Sequence, residues 1–383
     1  MTHDLMPANA LLNSARFIAM RGEPGWHALG ITKAPGETMT TEEAIREIGI
    51  DFPFVSVPVG YTTPDGLFVE DGDRNVVLRG PIADDPASTW TPVGVVSKDY
   101  RYLQNIDLAR GLDAIAAQTG WAFETAGALG KGETIFLTLR TGQASIFGDN
   151  VETFLAVTDG KAAARALQIS VAVVRIVCRN TLLAHDEAAT LKITIAHDDA
   201  VAGEYGFWLG LIGQMQAAQD ATLRQLTQMA SVKISDAQAK KLIAAAYPLD
   251  TTSARQRQAE QLRALPDLTA EARALVDAKV AKLDETEAQH RRFWTLRREA
   301  AYTLYERFNA GQEHGVVSGG QVVDPETMQQ ISHTPYAVLQ AVTELADWGG
   351  RANDQTAAAS AFFGQQADTK KRVWKAALAL ASK

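Results

Sequence analysis

The spacing of apolar residues divides the chain into a first half that favours strands and a second half that favours helices. In ETIFLTLR (133–140), Ile135, Leu137 and Leu139 alternate with residues of the opposite face, which is the period of a β-strand. The preceding GKG (130–132) favours a hairpin turn that pairs this strand with the segment before it. We therefore predict a central strand whose Ile135, Leu137 and Leu139 face the core.

Further segments in the same half have the alternation or the β-branched composition of strands. The first contains Pro53 and Pro58, which favour the edge of a sheet. The run 166–185 mixes β-branched residues with helical spacing, so strand and helix both remain open there. The predicted strands are 51–61, 75–79, 150–157 and 190–197.

Capping signals predict two short helices among these strands. Thr40 and Glu43 have the spacing of a capping box, and Gly49 suits the end of that helix. Asn105 can cap a second helix, which Gly120 is expected to end.

From about residue 203 onward, Ala, Gln, Leu and Arg dominate, and long helices are predicted over 208–247 and 253–312. A final helical region follows the loop at 315–327. We predict an α+β protein, with an N-terminal mixed or antiparallel sheet domain followed by a mainly helical C-terminal region. The expected parts are an acidic loop and strand segment (1–93), an α+β core (94–202) and a helical region (203–383).

Composition places the chain among ordinary globular proteins, with 46% hydrophobic and 21% charged residues. No run of 18 apolar residues occurs, and the first residues lack a basic stretch followed by an apolar core. Neither a membrane span nor a secretory signal is therefore expected. The single cysteine, Cys178, fits a reducing cytoplasm, and its apolar neighbours predict that it is buried and unreactive.

The charge distribution restricts how the chain could meet nucleic acid. The formal net charge is −8, and residues 1–93 hold 6 Lys/Arg against 13 Asp/Glu. Residues 255–307 hold 11 Lys/Arg against 9 Asp/Glu. The summed field repels phosphate, so any contact with nucleic acid requires local basic patches.

Searches for catalytic, metal and cofactor motifs find nothing specific. The seven histidines are scattered, without zinc-site spacing, and no glycine pattern matches a phosphate-binding loop. We therefore expect no catalytic activity, no metal and no cofactor. An enzyme with a site assembled from dispersed residues such as His27, Asp99 and Glu124 remains an alternative.

The first of three basic-aromatic groups precedes the helix that begins near Asn105. Lys98, Tyr100, Arg101 and Tyr102 place two cations and two rings within five residues, and such a group could hold a phosphate and stack a base. The alternative is a strand-to-helix junction whose tyrosines pack and whose cations are solvated.

The second group contains Arg175 and Arg179, which share a face whether the segment is a helix or a strand. Together with Lys161 and Arg165 they could form a strip of four cations. Ion pairing with nearby carboxylates such as Asp159 explains the same residues equally well.

The third group is the segment HRRFWTLRREAAYTLYERF (290–308). One interpretation is a basic aromatic helix that contacts nucleic acid or a partner. The other is an ordinary amphipathic helix that buries Phe293, Leu296 and Ala300.

Several separate segments resemble a family found on phages, plasmids and prophages, the domain-of-unknown-function family numbered 932. The resemblance covers most of the chain and implies a mobile-element setting rather than a reaction. The segments that carry it are PGWHALG (24–30), GVVSKDYRYLQN (94–105), FETAGALGKGETIFLTLR (123–140), VRIVCRNTL (174–182), TPYAVLQAVTELADW (334–348) and FFGQQADTKKRVWKAAL (362–378).

The order of helix, hairpin and third strand is also similar to the core of phage single-strand annealing proteins, which form rings or filaments. The leading hypothesis is non-enzymatic binding of single-stranded nucleic acid, with strand annealing as one form of it, by a cytoplasmic homo-oligomer. The alternative is a self-associating assembly or scaffold protein that binds no nucleic acid. The predicted nucleic-acid contacts are Lys98, Tyr100, Arg101, Lys161, Arg165, Arg175 and Arg179.

Overall fold

The computed structural model describes eleven stretches of the chain. Of the residues considered above, Trp26, His27, Arg165, Cys178 and Arg179 lie outside them. The described stretches are 16–20, 31–34, 36–161, 166–175, 181–183, 192–195, 205–249, 254–266, 268–311, 324–348 and 365–383.

Strands occupy the first half of the described chain, and helices occupy the second half. The strands are β1 (Phe17–Ala19), β2 (Ile31–Thr32), β3 (Phe54–Thr62), β4 (Phe68–Arg79), β5 (Thr91–Ser97), β6 (Ala122–Leu129), β7 (Thr134–Ile146), β8 (Asp149–Gly160), β9 (Leu167–Arg175), β10 (Thr181–Leu183) and β11 (Lys192–Ile195). The helices are α1 (Thr41–Glu47), α2 (Asn105–Thr119), α3 (Tyr205–Ser231), α4 (Asp236–Ala246), α5 (Ala254–Arg263), α6 (Ala270–Asn309), α7 (Pro325–Ile331), α8 (Pro335–Trp348) and α9 (Gln365–Ala381). The predicted α+β class is confirmed.

The larger sheet has the order β10-β9-β8-β7-β6-β1-β2, with β11 paired to β9. Its centre is an antiparallel meander, β6 to β9, built on the predicted hairpin. Ile135, Leu137 and Leu139 of β7 are fully buried in the core that α1 and α2 join, as predicted. Phe136 on the opposite face is equally buried and stacks on Phe17 at 6.0 Å. Both faces at the centre of this sheet are therefore shielded from water.

A smaller sheet of three antiparallel strands, β3-β4-β5, precedes the meander. The predicted edge position of the first strand is confirmed, because β3 pairs with β4 alone among the described strands and its register shifts between Pro58 and Gly60. The strand predicted over 75–79 is longer than expected and begins at Phe68. The inner residues Phe54 and Val77 belong to the same core as β7.

A second core unites the helices with the far end of the large sheet. Ile146, Val151 and Val173 pack there with residues of α4, α6, α8 and α9. Helix α3 joins the two cores, because Trp208 packs in the sheet core while Met229 packs in the helical core.

The apolar periodicity of the second half of the chain did not reveal two breaks between helices. The predicted helix over 208–247 is interrupted before α4, where Ser235 and Gln238 form a capping box. The predicted helix over 253–312 is interrupted before α6, where Thr269 caps the next helix. The predicted cap Asn105 is wrong by one residue: Gln104 is the N-cap, and Asn105 donates to the Ile50 carbonyl at 2.7 Å inside the core.

Candidate functional site

The group around Tyr100 adopts the packed arrangement that was the alternative interpretation. The Tyr100 hydroxyl donates to the Gly160 carbonyl at 3.3 Å, and burial raises the pKa of this tyrosine. The Tyr102 ring lies 6.1 Å from the ring of Phe54. Lys98 is exposed, with Nζ 3.8 Å from Asp73 Oδ1, and Arg101 is exposed. The two tyrosines are thus part of the junction between β5 and α2.

Lys161 was predicted to contact nucleic acid, and its position contradicts that prediction. Its side chain is completely buried, where it bonds to Asp159 and to the carbonyl of Leu103. Its ammonium also lies 5.5 Å from the centre of the Phe54 ring. A buried charge of this kind is retained because it is paired, and here it ties the end of β8 to the start of α2.

One predicted contact, Arg175, lies far from Tyr100 along the large sheet. The backbone of Arg175 pairs with Val151, whereas Tyr100 bonds to Gly160 at the other end of β8. Nine residues of strand separate these points, which is about 30 Å. The predicted four-cation strip therefore lacks Lys161, and two of its other members, Arg165 and Arg179, lie outside the described residues.

The basic aromatic segment 290–308 is helical, but it buries a different face from the one predicted. Phe293 and Leu296 are 42% and 56% exposed, so the prediction that they are buried is wrong. Ala300 is partly buried. The buried residues follow the spacing i, i+7, i+11 and i+14, and are Trp294, Ala301, Tyr305 and Phe308. They face the helical core, because α6 packs against α4 and α8.

This orientation creates a pocket of about 120 Å³ where four helices meet. Three aromatic side chains and one guanidinium form most of its wall. The lining residues are Tyr247, Phe293, Trp294, Arg297, Ala346, Gln365, Gln366 and Thr369. Rings, a cation and side-chain amides thus converge in one concave site of the helical region.

Arginines around the pocket hold the carboxyl ends of two helices. Arg298 and Arg372 donate to the carbonyls of Tyr247 and Ala246 at 2.8 and 2.9 Å, where α4 ends. Arg297 donates to the carbonyl of Leu345 at 3.1 Å near the end of α8. Cations are favourable at these termini, because the last carbonyls of a helix lack partners within the helix. The terminal carbonyls thereby fix the guanidinium groups beside the pocket.

Arg297 also has donors that this bond does not use. A guanidinium carries five N–H groups, and the bond to Leu345 uses one of them. The central guanidinium carbon of Arg297 lies 5.2 Å from the centre of the Phe293 ring, which is within cation–π range. Arg297 can therefore bind an anion at the pocket mouth while it remains attached to α8.

Trp294 forms the floor of the pocket and is 6% exposed. Its ring lies 5.2 Å from that of Tyr247, and its indole N–H donates to His290. Burial raises the pKa of Tyr247, while Arg297 and Arg372 act in the opposite direction. The floor is therefore a fixed aromatic surface beside cations.

The family profile described as Domain of unknown function (DUF932) matches residues 92–374, which is most of the chain. The chain belongs to this family. No curated protein matches it, and no solved structure does.

Two segments of this family member that are distant in sequence meet beside the pocket. Asp347 of α8 and Lys370 of α9 form a nearly fully buried ion pair. Their neighbours in sequence, Ala346 and Thr369, line the pocket. The pair thus joins α9 to α8 next to the pocket.

The surface near the pocket is basic. Residues 290–298 contain four arginines and no acidic residue. In α9, Lys371, Arg372 and Lys375 stand against Asp368, while Lys370 is buried in its pair with Asp347. Arg292 and Lys375 are exposed, and Arg291 lies 3.3 Å from Glu287. Among the described residues, no three His, Cys, Asp or Glu side chains stand close enough to hold a metal ion. No helix of the described chain is long and apolar enough to cross a bilayer.

Proposed function

We propose that this DUF932 protein binds single-stranded nucleic acid without catalysing a reaction, at the pocket between α6, α8 and α9. The observation that carries the proposal is the convergence of Phe293, Trp294 and Arg297 in one site. Proteins that bind single strands combine aromatic rings for the bases with cations for the phosphates.

The size of the pocket favours one unstacked ring as the inserted group. A closed cavity of about 150 Å³ binds benzene, so an open pocket of about 120 Å³ suits a single base that protrudes partly into solvent. Phe293 and Trp294 lie 5.7 Å apart at 65°, so a base can stack on one ring and meet the edge of the other. Arg297 would then hold the adjacent phosphate.

Charge supports the helical region as the binding side of the molecule. Residues 1–161 contain 12 Lys/Arg and 21 Asp/Glu, a net charge of −9. Residues 205–383 contain 21 Lys/Arg and 19 Asp/Glu, a net charge of +2. A polyanion is therefore repelled by the first half and meets a more favourable field in the helical half.

The setting we propose is the DNA metabolism of a phage or plasmid, in the cytoplasm. The resemblance of the segments quoted above to a phage and plasmid family supports it. Strand annealing would be one use of such binding, and it requires no catalytic residue.

The test is binding of a fluorescent oligonucleotide at about 50 and 200 mM salt. We expect affinity to fall steeply with salt, because phosphate contacts release counterions. Phe293→Ala should weaken binding by about 1–3 kcal/mol, the cost of one lost stacking contact. Arg297→Gln should weaken binding for all sequences alike and reduce the salt slope by about one unit.

The matched control is Lys279→Gln, which removes the same charge from an exposed position of α6. Lys279 lies 18 residues before Arg297, about 27 Å along the helix axis. Equal losses for Lys279→Gln and Arg297→Gln would indicate a general charge effect and would contradict the pocket as the site. Absence of salt-sensitive binding by the wild-type protein would refute the function itself.

A further inference from the structure

The tip of the β3–β4 hairpin exposes an unusual amount of apolar surface. Tyr61, Leu67 and Phe68 are 61%, 63% and 57% exposed. The Phe68 ring lies across Gly60, where a Cβ atom would stand 2.3 Å from Phe68 Cζ. Glycine at this position therefore lets the ring rest on the neighbouring strand. Tyr61 lies on the opposite face of the hairpin from Phe68, because Tyr61 pairs with Val69 while Thr62 pairs with Phe68. Large apolar side chains exposed at one tip favour an interaction site.

The same tip is acidic. Residues 61–74 contain Asp65, Glu70, Asp71 and Asp73 against Arg74, which lies 3.5 Å from Asp71, and Lys98 lies 3.8 Å from Asp73. Asp65 and Glu70 are exposed, and Glu70 shares the face of Phe68. An exposed ring beside carboxylates has the chemistry of a single strand, which also presents rings beside anions. A surface that binds single-stranded nucleic acid should therefore also be able to bind this hairpin tip.

The complementary surface exists on the same chain. Phe293 and Leu296 are exposed apolar residues beside the pocket, and Arg292 is exposed next to them. Both surfaces are exposed in one and the same molecule. Neither covers the other within a single chain, so a contact between them has to join two molecules.

We propose that the β3–β4 tip of one molecule docks on the α6 pocket of a second copy, with an aromatic ring of the tip in the pocket. The carboxylates of the tip would then face the arginines that flank the pocket. The pocket volume of about 120 Å³ suits one aromatic side chain. Opposite charges on the two surfaces favour this pairing over tip on tip or pocket on pocket.

A contact between two different surfaces is heterologous, so it builds a ring if the rotation closes and a filament if it does not. Each molecule would present one tip and one pocket. Nucleic acid and the neighbouring tip would compete for the same site, a consequence that rests on the function proposed above.

The first experiment follows self-association without nucleic acid, by sedimentation velocity over a concentration series. We expect the wild-type protein to form oligomers that dissociate as salt is raised, because the surfaces carry opposite charge. The tip variant Tyr61→Ser/Phe68→Ser and the pocket variant Phe293→Ala should each weaken association at least about tenfold, equivalent to 1.4 kcal/mol. Val95→Ser, at a 54% exposed position of the same small sheet, should leave association unchanged.

Mixing the two defective variants gives the sharper result. The tip variant retains its pocket and the pocket variant retains its tip, so the mixture should form heterodimers that grow no further. Glu70→Lys and Arg292→Glu should each weaken association, and the double variant should recover it by restoring the opposite charges. A wild-type protein that remains monomeric, or a mixture that forms no heterodimer, would overturn the proposal.

Oligonucleotide binding then separates this proposal from the preceding one. The tip variant should bind oligonucleotide more tightly than the wild-type protein at concentrations where the latter is assembled, because its pockets are unoccupied. Tip-dependent association without any oligonucleotide binding would leave docking intact and refute nucleic-acid binding. Oligonucleotide binding by a strictly monomeric protein would refute docking alone.

Discussion

The sheet region and the helical region contain the same combination of cations and aromatic rings, but they use it differently. In the sheet region, Lys161 lies in the interior against Phe54, and Arg79 lies 5.1 Å from the ring of Phe52. In the helical region, Arg297 lines a pocket while it binds the end of α8, and Arg372 binds the end of α4 at 5.9 Å from the ring of Trp294. A cation beside an aromatic ring therefore indicates a candidate binding site only where the cation and the ring remain accessible to a ligand.

The physical cause of this difference lies in the groups that each cation binds. Lys161 is paired with the buried Asp159 and donates to the Leu103 carbonyl, which lies outside the strands. Arg297 and Arg372 instead bind carbonyls at the ends of α8 and α4, which lack partners within their helices, and both side chains are only partly buried. The predictions below test this contrast.

The largest effect is expected for Lys161→Ala. This change leaves Asp159 buried without its cation, and breaking a buried pair costs about 3–5 kcal/mol. The free energy of unfolding, measured by urea denaturation, should fall by that amount. Lys98→Ala should change it by less than about 0.5 kcal/mol, because Lys98 is exposed and its carboxylate partner is distant. Similar values for the two variants would contradict the interior role of Lys161.

A somewhat smaller loss is expected at the centre of the sheet. Leu137→Ala should cost about 2–5 kcal/mol, because the side chain is fully buried in the sheet core. Thr138→Ala removes the Thr125–Thr138 hydroxyl pair at 2.7 Å and should cost about 1 kcal/mol. A neutral Leu137→Ala would contradict the central position of β7.

The same contrast explains which features the sequence could predict. Alternation in β7 and the capping box of α1 are local patterns, and the structure confirms both. The pocket joins Tyr247, Trp294, Ala346 and Thr369, which lie on four separate helices, so no local pattern could reveal it. The arginines that bind the ends of α4 and α8 come from the middle of α6 and from α9, so the helix ends give no local signal either.

The wrong face of α6 has a related cause. Phe293 and Leu296 have helical spacing, and so do Trp294 and Ala301. The choice between the two faces depends on α4 and α8, whose positions the segment itself does not encode. Lys161 was predicted to join a strip of cations with Arg165, Arg175 and Arg179, whereas the structure shows the ion pair with Asp159 that was the alternative interpretation.

The smallest effect concerns stability at alkaline pH, where the two regions should behave alike. Burial raises the pKa of Tyr100 in the sheet region and of Tyr247 in the helical region above the usual value of 10.0. Each hydroxyl thus keeps its proton in the folded protein above pH 10, while the unfolded chain releases it. Stability should therefore fall as pH rises beyond about 10, by at most about 1.4 kcal/mol per pH unit for each tyrosine. Tyr247→Phe removes one titrating hydroxyl, so above pH 10 the loss of stability per pH unit should become smaller by up to about 1.4 kcal/mol. Between pH 7 and 9 the dependence of stability on pH should not change. Urea denaturation at each pH measures both. An unchanged slope above pH 10 would show that Tyr247 is not buried, and the aromatic floor of the pocket would then be open to water.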